Sequence, residues 1–82
     1  MTGVIVVLPK IDDARNIKNL LVRNGIAVSG ICTTGAQAIA LADNLDDGVV
    51  VCGYKLADML YSQIQECIPP GFEILLLASH HI

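Results

Sequence analysis

The residue best placed for covalent chemistry is Cys52. It ends the apolar run Val49-Val50-Val51 and is followed by Gly53 and a predicted helix. A helix N-terminus lowers a thiol pKa and stabilises a thiolate, so this setting would suit a redox or covalent switch. No resolving cysteine is obvious: Cys32 ends the second predicted strand, and Cys67 ends a predicted helix. The plain alternative is a small buried hydrophobe with a weakly polar atom. The three cysteines give an odd count with no CxxC spacing, and His80-His81 lies far along the chain from any paired cysteines. That pattern argues against a metal centre. Asp12-Asp13, at the start of a predicted helix, reads as charge complementing the helix dipole rather than as a displaced metal site. Tyr54, Tyr61 and Phe72 are the only aromatics. They are too few and too dispersed to form a stacking platform for single-stranded RNA.

Composition narrows the classes further. Eighty-two residues make a single small domain, which buries roughly 60–65% of its unfolded surface and is marginal without help from a neighbour. The hydrophobic fraction is 54% and the mean hydropathy is positive, yet no apolar run approaches the roughly 20 residues of a membrane span. The net charge is −3, and four of the five basic residues lie in or near one predicted helix. Phosphate backbones need clustered Lys and Arg, so a nucleic-acid platform is not expected in this segment. Thr2 and Gly3 lead straight into the first apolar run. With unpaired cysteines, this predicts reduced thiols and a cytoplasmic protein.

The elements that must position these residues are legible from periodicity. Val4–Leu8 is a continuous β-branched run ended by Pro9, the pattern of a parallel strand covered on both faces. Asp12 or Asp13 is expected to cap a helix over 13–24, with Ala14, Ile17, Leu20 and Leu21 on one face and Asn24-Gly25 as the stop. Ile26–Ile31 reads as a weaker strand at or near an edge. Thr33 or Thr34 caps an Ala-rich helix, and Asn44–Gly48 is a polar turn before the third strand at Val49–Cys52. A helix over 56–67 follows, with Leu56, Met59, Leu60, Ile64 and Cys67 sharing a face. Pro69-Pro70-Gly71 closes it, and Phe72–Ala78 is the fourth strand. The order βαβαβαβ predicts a doubly wound parallel α/β sheet. The fourth strand reads as buried on both faces, although only four residues follow it. The expectation is an N-terminal fragment of a longer domain, with another helix and at least one more strand beyond Ile82. The alternative is a short chain that covers this edge by dimerisation or strand pairing.

The pattern Ile17…Leu20-Leu21…Gly25, the segment Thr34-Gly35-Ala36-Gln37-Ala38 and Asp47 before the third strand together resemble the CheY-like receiver domain of two-component response regulators. The resemblance spans Val4–Ser79 and covers the first two thirds of that fold. It implies a flavodoxin/CheY-like sheet of strand order 2-1-3-4, lacking the receiver's final strand and helices. It also implies where a receiver's working residues would stand. The acidic pair falls at Leu8 and Pro9, seventeen positions before Gly25. Asp12-Asp13 lies four residues too late to replace it. The phosphoacceptor falls at Cys52, and the Ser/Thr position at Ala78 or Ser79. Leu8, Pro9 and Cys52 bring no carboxylate for Mg²⁺, which wants octahedral oxygen ligands. The implied module is a degenerate, phosphorylation-independent receiver: not an enzyme, and without cofactor or metal.

Asp46-Asp47-Gly48-Val49-Val50-Val51-Cys52-Gly53-Tyr54-Lys55-Leu56, with Thr33-Thr34-Gly35, further resembles clostridial-type regulators. In these a degenerate receiver precedes an ANTAR RNA-binding domain and acts in transcription antitermination. The resemblance implies a protein partner or homodimer, RNA contact only through a domain not present in this chain, and no membrane or DNA contact. Two alternatives stay open. One is a redox or covalent switch at Cys52. The chain departs from the cysteine-phosphorylated B components of the sugar phosphotransferase system, whose cysteine follows the first strand. It also departs from the C-x5-R phosphatases, where Asp58 occupies the arginine position. The other alternative is a conventional phospho-accepting receiver using Asp12, Asp13 or Asp47.

Overall fold

The structure is a computed structural model that describes residues 2–77; Ala78 and Ser79, which carry one of the expected positions, lie outside the described residues. The elements are β1 (Thr2–Val7), α1 (Ile11–Arg23), β2 (Gly30–Cys32), α2 (Gly35–Asp43), β3 (Asp47–Gly53), α3 (Tyr61–Cys67) and β4 (Phe72–Leu77). All strand pairings are parallel and the order is β2-β1-β3-β4, a flavodoxin-like arrangement. No helix among the described residues is long and apolar enough to cross a membrane.

The continuous apolarity of β1 has the expected cause. Ile5, Val6 and Val7 are all fully buried because successive side chains enter different cores. Ile5 and Val7 join Cys32, Val50, Cys52 and Ile64 beneath α2 and α3. Val6 joins Leu8, Ala14 and Val51 beneath α1. Burying each such branched side chain contributes roughly 1.5–3 kcal/mol relative to exposure. The strands approach closely where β1 begins: Gly3 pairs with Gly48, and a Cβ on Gly48 would collide with the Gly3 carbonyl oxygen.

Several boundaries differ from expectation for identifiable reasons. Helix α1 starts at Ile11 with Lys10 as its N-cap and no side-chain cap; Asp12 and Asp13 lie inside the first turn and cap nothing. Its buried side is Ala14 with half-buried Ile17 and Leu21, while Leu20 is 55% exposed. The helix ends in a Schellman motif: Ile26 N–H donates to Leu21 O (2.9 Å), Gly25 N–H donates to Val22 O (3.0 Å), and Gly25 has φ 81°. Ile26 therefore belongs to the helix stop, and β2 begins at Gly30 rather than at residue 26. The segment before α3 is not helical. Leu56 N–H donates to Met59 O (2.9 Å), and Lys55 pairs with Leu60 in an isolated antiparallel bridge. Leu56 and Ile64 are buried as expected, but Leu60 and Cys67 are exposed.

The largest departure is β4. It was expected to be buried on both faces, yet Leu75, Leu76 and Leu77 are 58%, 42% and 38% exposed. In this order β4 is an edge, and α1 packs over β1 and β2 on the opposite side of the sheet. Only Phe72 and Ile74, which point toward α2 and α3, gain cover.

Candidate functional site

Because every strand is parallel, the C-terminal ends of β1 and β3 meet at one rim. Chain direction reverses there, since β1 leads outward to β2 while β3 leads to β4. Open α/β sheets hold their ligands at such switch points. A crevice of about 660 Å³ opens at this place in the structure. Its apolar walls are Leu8, Pro9, Ile17 and Leu77, and its floor includes Gly53. Lys10 and Lys55 reach it from the β1–α1 and β3–α3 connections, Asp13 and Asn16 from the first turns of α1, and Tyr54 from the mouth.

The connections are held by local bonds. Leu8 N–H donates to Cys32 O (3.1 Å), and Ala14 N–H donates to Lys10 O (3.1 Å). On the other wall, Tyr61 N–H donates to Tyr54 O (3.1 Å), the Lys55–Leu60 bridge closes the loop, and Leu56 anchors it in the core. The Tyr54 and Tyr61 rings lie 5.3 Å apart, tilted by 41°.

The expected site residues divide. Leu8 and Pro9 do line the crevice. Cys52 does not: it is fully buried in the core under α2 and α3, and its thiol donates to Gly53 O at 3.0 Å. Strand β3 runs one residue further, so the residue it presents to the crevice is Gly53. Alternation along a strand makes a one-residue offset a change of face. Of the acidic alternatives, Asp13 lines the crevice, Asp12 does not, and Asp47 begins β3 at the opposite end of the sheet.

The buried cysteines have little nucleophilic character. Burial pushes the Cys52 thiol up to about 11. Burial, and secondarily the neighbouring Cys52, pushes Cys32 up to about 11. Both pair with Val7 across β1. They therefore stand two strand spacings apart, roughly 9–10 Å, too far for a disulfide. Cys32 donates weakly to Val6 O at 3.8 Å. Cys67 is exposed.

A receiver's Mg²⁺ does not suit this crevice. The ion takes near-octahedral oxygen ligands, one or two of them carboxylates beside waters and phosphate oxygens, and is repelled by cations. The side chains here offer one carboxylate and one amide, Asp13 and Asn16, alongside the ammonium groups of Lys10 and Lys55. Among the described residues, no group of three or more His, Cys, Asp or Glu could hold a metal ion.

One polar device escaped the sequence. Asp58, in the β3–α3 connection, accepts from Gly35 N–H (2.8 Å) and Ala36 N–H (3.0 Å) at the start of α2. Those two backbone bonds, Gly35 first, hold its carboxyl below the usual range. Thr34, one of the two expected caps, accepts from Gln37 N–H at 3.3 Å. The same helix start thus uses a near and a distant acceptor. Helix starts leave such donors needing partners, but nothing local in the sequence points 22 or 23 residues ahead.

Comparisons with protein-family models, curated proteins and solved structures find no match to this chain. The class that the structure defines is therefore that of the fold: a parallel α/β sheet of order 2-1-3-4 with a crevice at its switch point.

Proposed function

We propose that this chain is a phosphorylation-independent, receiver-like signalling and interaction module of a response regulator acting in transcription antitermination. In this reading it is cytoplasmic, contacts a protein partner or a second copy of itself, and reaches RNA only through an ANTAR-type domain not present in this chain. It binds neither membrane nor DNA and catalyses no reaction. The observation that carries the proposal is the make-up of the rim: β1 leads into Leu8-Pro9 and β3 ends in Cys52-Gly53, so neither strand end brings a carboxylate to the crevice. The exposed leucines of β4 support an interaction role, because contiguous exposed apolar surface marks contact sites. A Cys52 switch is disfavoured by the burial and raised pKa of that thiol, since the reactive species is an accessible thiolate.

The test is incubation with acetyl phosphate or beryllofluoride in the presence of Mg²⁺. The expected result is an unchanged intact mass and unchanged tyrosine fluorescence. A phosphoryl adduct mapped to Asp13, which does face the crevice, would overturn the proposal in favour of a conventional phospho-accepting receiver.

A further inference from the structure

The crevice has a chemical character of its own, and we infer that it binds a small organic anion: an aromatic or aliphatic body carrying one carboxylate or phosphate group. This goes beyond the proposal above and stands whether or not the chain belongs to a regulator. Its volume of about 660 Å³ falls within the roughly 300–1,000 Å³ of small-molecule sites, which are mostly apolar with a few convergent polar groups. Leu8, Pro9, Ile17 and Leu77 supply the apolar wall. Lys10 and Lys55 line the same space from two different connections, with Asp13 the one acidic residue among the lining.

The sign of the attraction comes from those two lysines and not from the helix end, which Asp12 and Asp13 already complement. Tyr54 packs against Tyr61 and is still 59% exposed at the mouth, so it can cover a planar body. Both lysines sit on pinned backbone. Lys10 is the N-cap of α1 and Lys55 is bridged to Leu60, so binding need not order either connection. Asn16 and Asp13 add an amide and an acceptor on the α1 side, suited to a hydroxyl or amine elsewhere on the ligand.

The experiment is an amide-shift titration of the whole chain with four probes: phenyl phosphate, benzoate, benzamide and inorganic phosphate. Phenyl phosphate or benzoate should saturate shifts at Lys10, Gly53, Tyr54, Lys55 and Leu77, and the stronger of the two identifies the preferred anion. Lys10→Ala and Lys55→Ala should each weaken that probe about two- to fivefold, the range for an exposed charge contact, while circular dichroism stays unchanged. Raised salt should weaken it in parallel. Equal binding of neutral benzamide would overturn the anion assignment. Inorganic phosphate binding as well as phenyl phosphate would overturn the organic body. Shifts centred on Glu73 and Leu75, or none that saturate at millimolar probe, would overturn the site. Failure here leaves the acetyl phosphate result untouched, so the two proposals fall separately.

Discussion

Placing a carboxylate at residue 52 or at residue 53 should give opposite outcomes, because the two residues face different environments. Cys52 is fully buried beside Ile5, Val50 and Ile64 under α2 and α3, whereas Gly53, although buried as a glycine, borders the crevice with Lys10 and Lys55 on the other face. In Cys52→Asp the carboxyl would have to be neutral in the folded state. Its folded pKa would rise by about 3–5 units, while the unfolded value stays near 3.9. A raised folded pKa contributes stability below the unfolded pKa that is lost as pH rises through the folded one. At pH 7 this costs about 4 kcal/mol at about 1.36 kcal/mol per pH unit. An unpartnered polar group in the core adds about 1–3 kcal/mol. A domain of this size has only about 4–12 kcal/mol in total, so the variant should lose about half or more of its stability at pH 7 and regain most of the ionisation part at pH 4. In Gly53→Asp the added Cβ meets Pro9 Cδ at 3.2 Å and Leu8 Cδ2 at 3.3 Å. That contact costs about 1–3 kcal/mol, with no comparable pH trend above pH 5. Urea unfolding followed by circular dichroism from pH 4 to 7 measures both. If Cys52→Asp loses under about 1 kcal/mol at pH 7, or if the pH slope belongs to Gly53→Asp, the assignment of faces along β3 is wrong.

Iodoacetamide should label Cys67 in the native protein, and Cys32 and Cys52 only after denaturation, because the latter two are buried with thiols pushed up to about 11; peptide mapping of the adducts decides. Asp58 has a depressed pKa, so its support of α2 is present above the unfolded value of 3.8 and lost as pH falls through the lower folded one. Asp58→Asn should therefore lower the thermal midpoint at pH 7, narrow the difference from wild type at pH 2, and speed amide exchange at Gly35 and Ala36; unchanged exchange there would remove the two bonds. Gly48→Ala drives its Cβ into the Gly3 carbonyl oxygen and forces β1 and β3 apart, and should abolish cooperative unfolding. Gly25→Ala meets nothing within 4 Å and carries only the strain of φ 81°, about 1 kcal/mol; equal costs for the two would contradict the pairing of Gly3 with Gly48.

The number, type and order of elements were legible because they rest on local pattern: β-branched runs for β1 and β3, the Asn24-Gly25 stop, and Pro69-Pro70 after α3. Where a boundary moved, a specific backbone or side-chain bond had overridden the apolar pattern. Ile26 looks like a strand residue, but its N–H closes α1 onto Leu21. Leu56–Leu60 carries helical spacing, but the Lys55–Leu60 bridge and the reach of Asp58 to α2 hold it as a loop. Apolarity alone could not show that Leu75, Leu76 and Leu77 would stand at an edge, because a run of leucines reads the same whether or not a neighbour covers it. The site was half legible. Leu8 and Pro9 follow from the end of β1, while Cys52 attracted attention by its chemistry and Gly53, having none, did not.

The contrast with a receiver goes deeper than missing acids. Leu8 is only 8% exposed and packs with Val6, Ala14 and Val51, so it serves the α1 core as well as the crevice wall. A carboxylate there would lose the solvation that an ionised rim residue needs. Pro9 has no N–H to offer a phosphoryl oxygen. The space above Gly53 is bounded by the side chains of Leu8 and Pro9 themselves, at 3.3 Å and 3.2 Å from the Cβ position. Leu8 and Pro9 therefore occupy the room that an acid on residue 53 would require, and the missing side chain of Gly53 is what lets them do so. Placing a carboxylate at one of these three positions leaves the other two apolar, and in the native crevice Asp13 is the one carboxylate set against the two lysines. A crevice built this way selects for what apolar walls and ammonium groups can hold together, which is an anion with an organic body rather than a hydrated Mg²⁺.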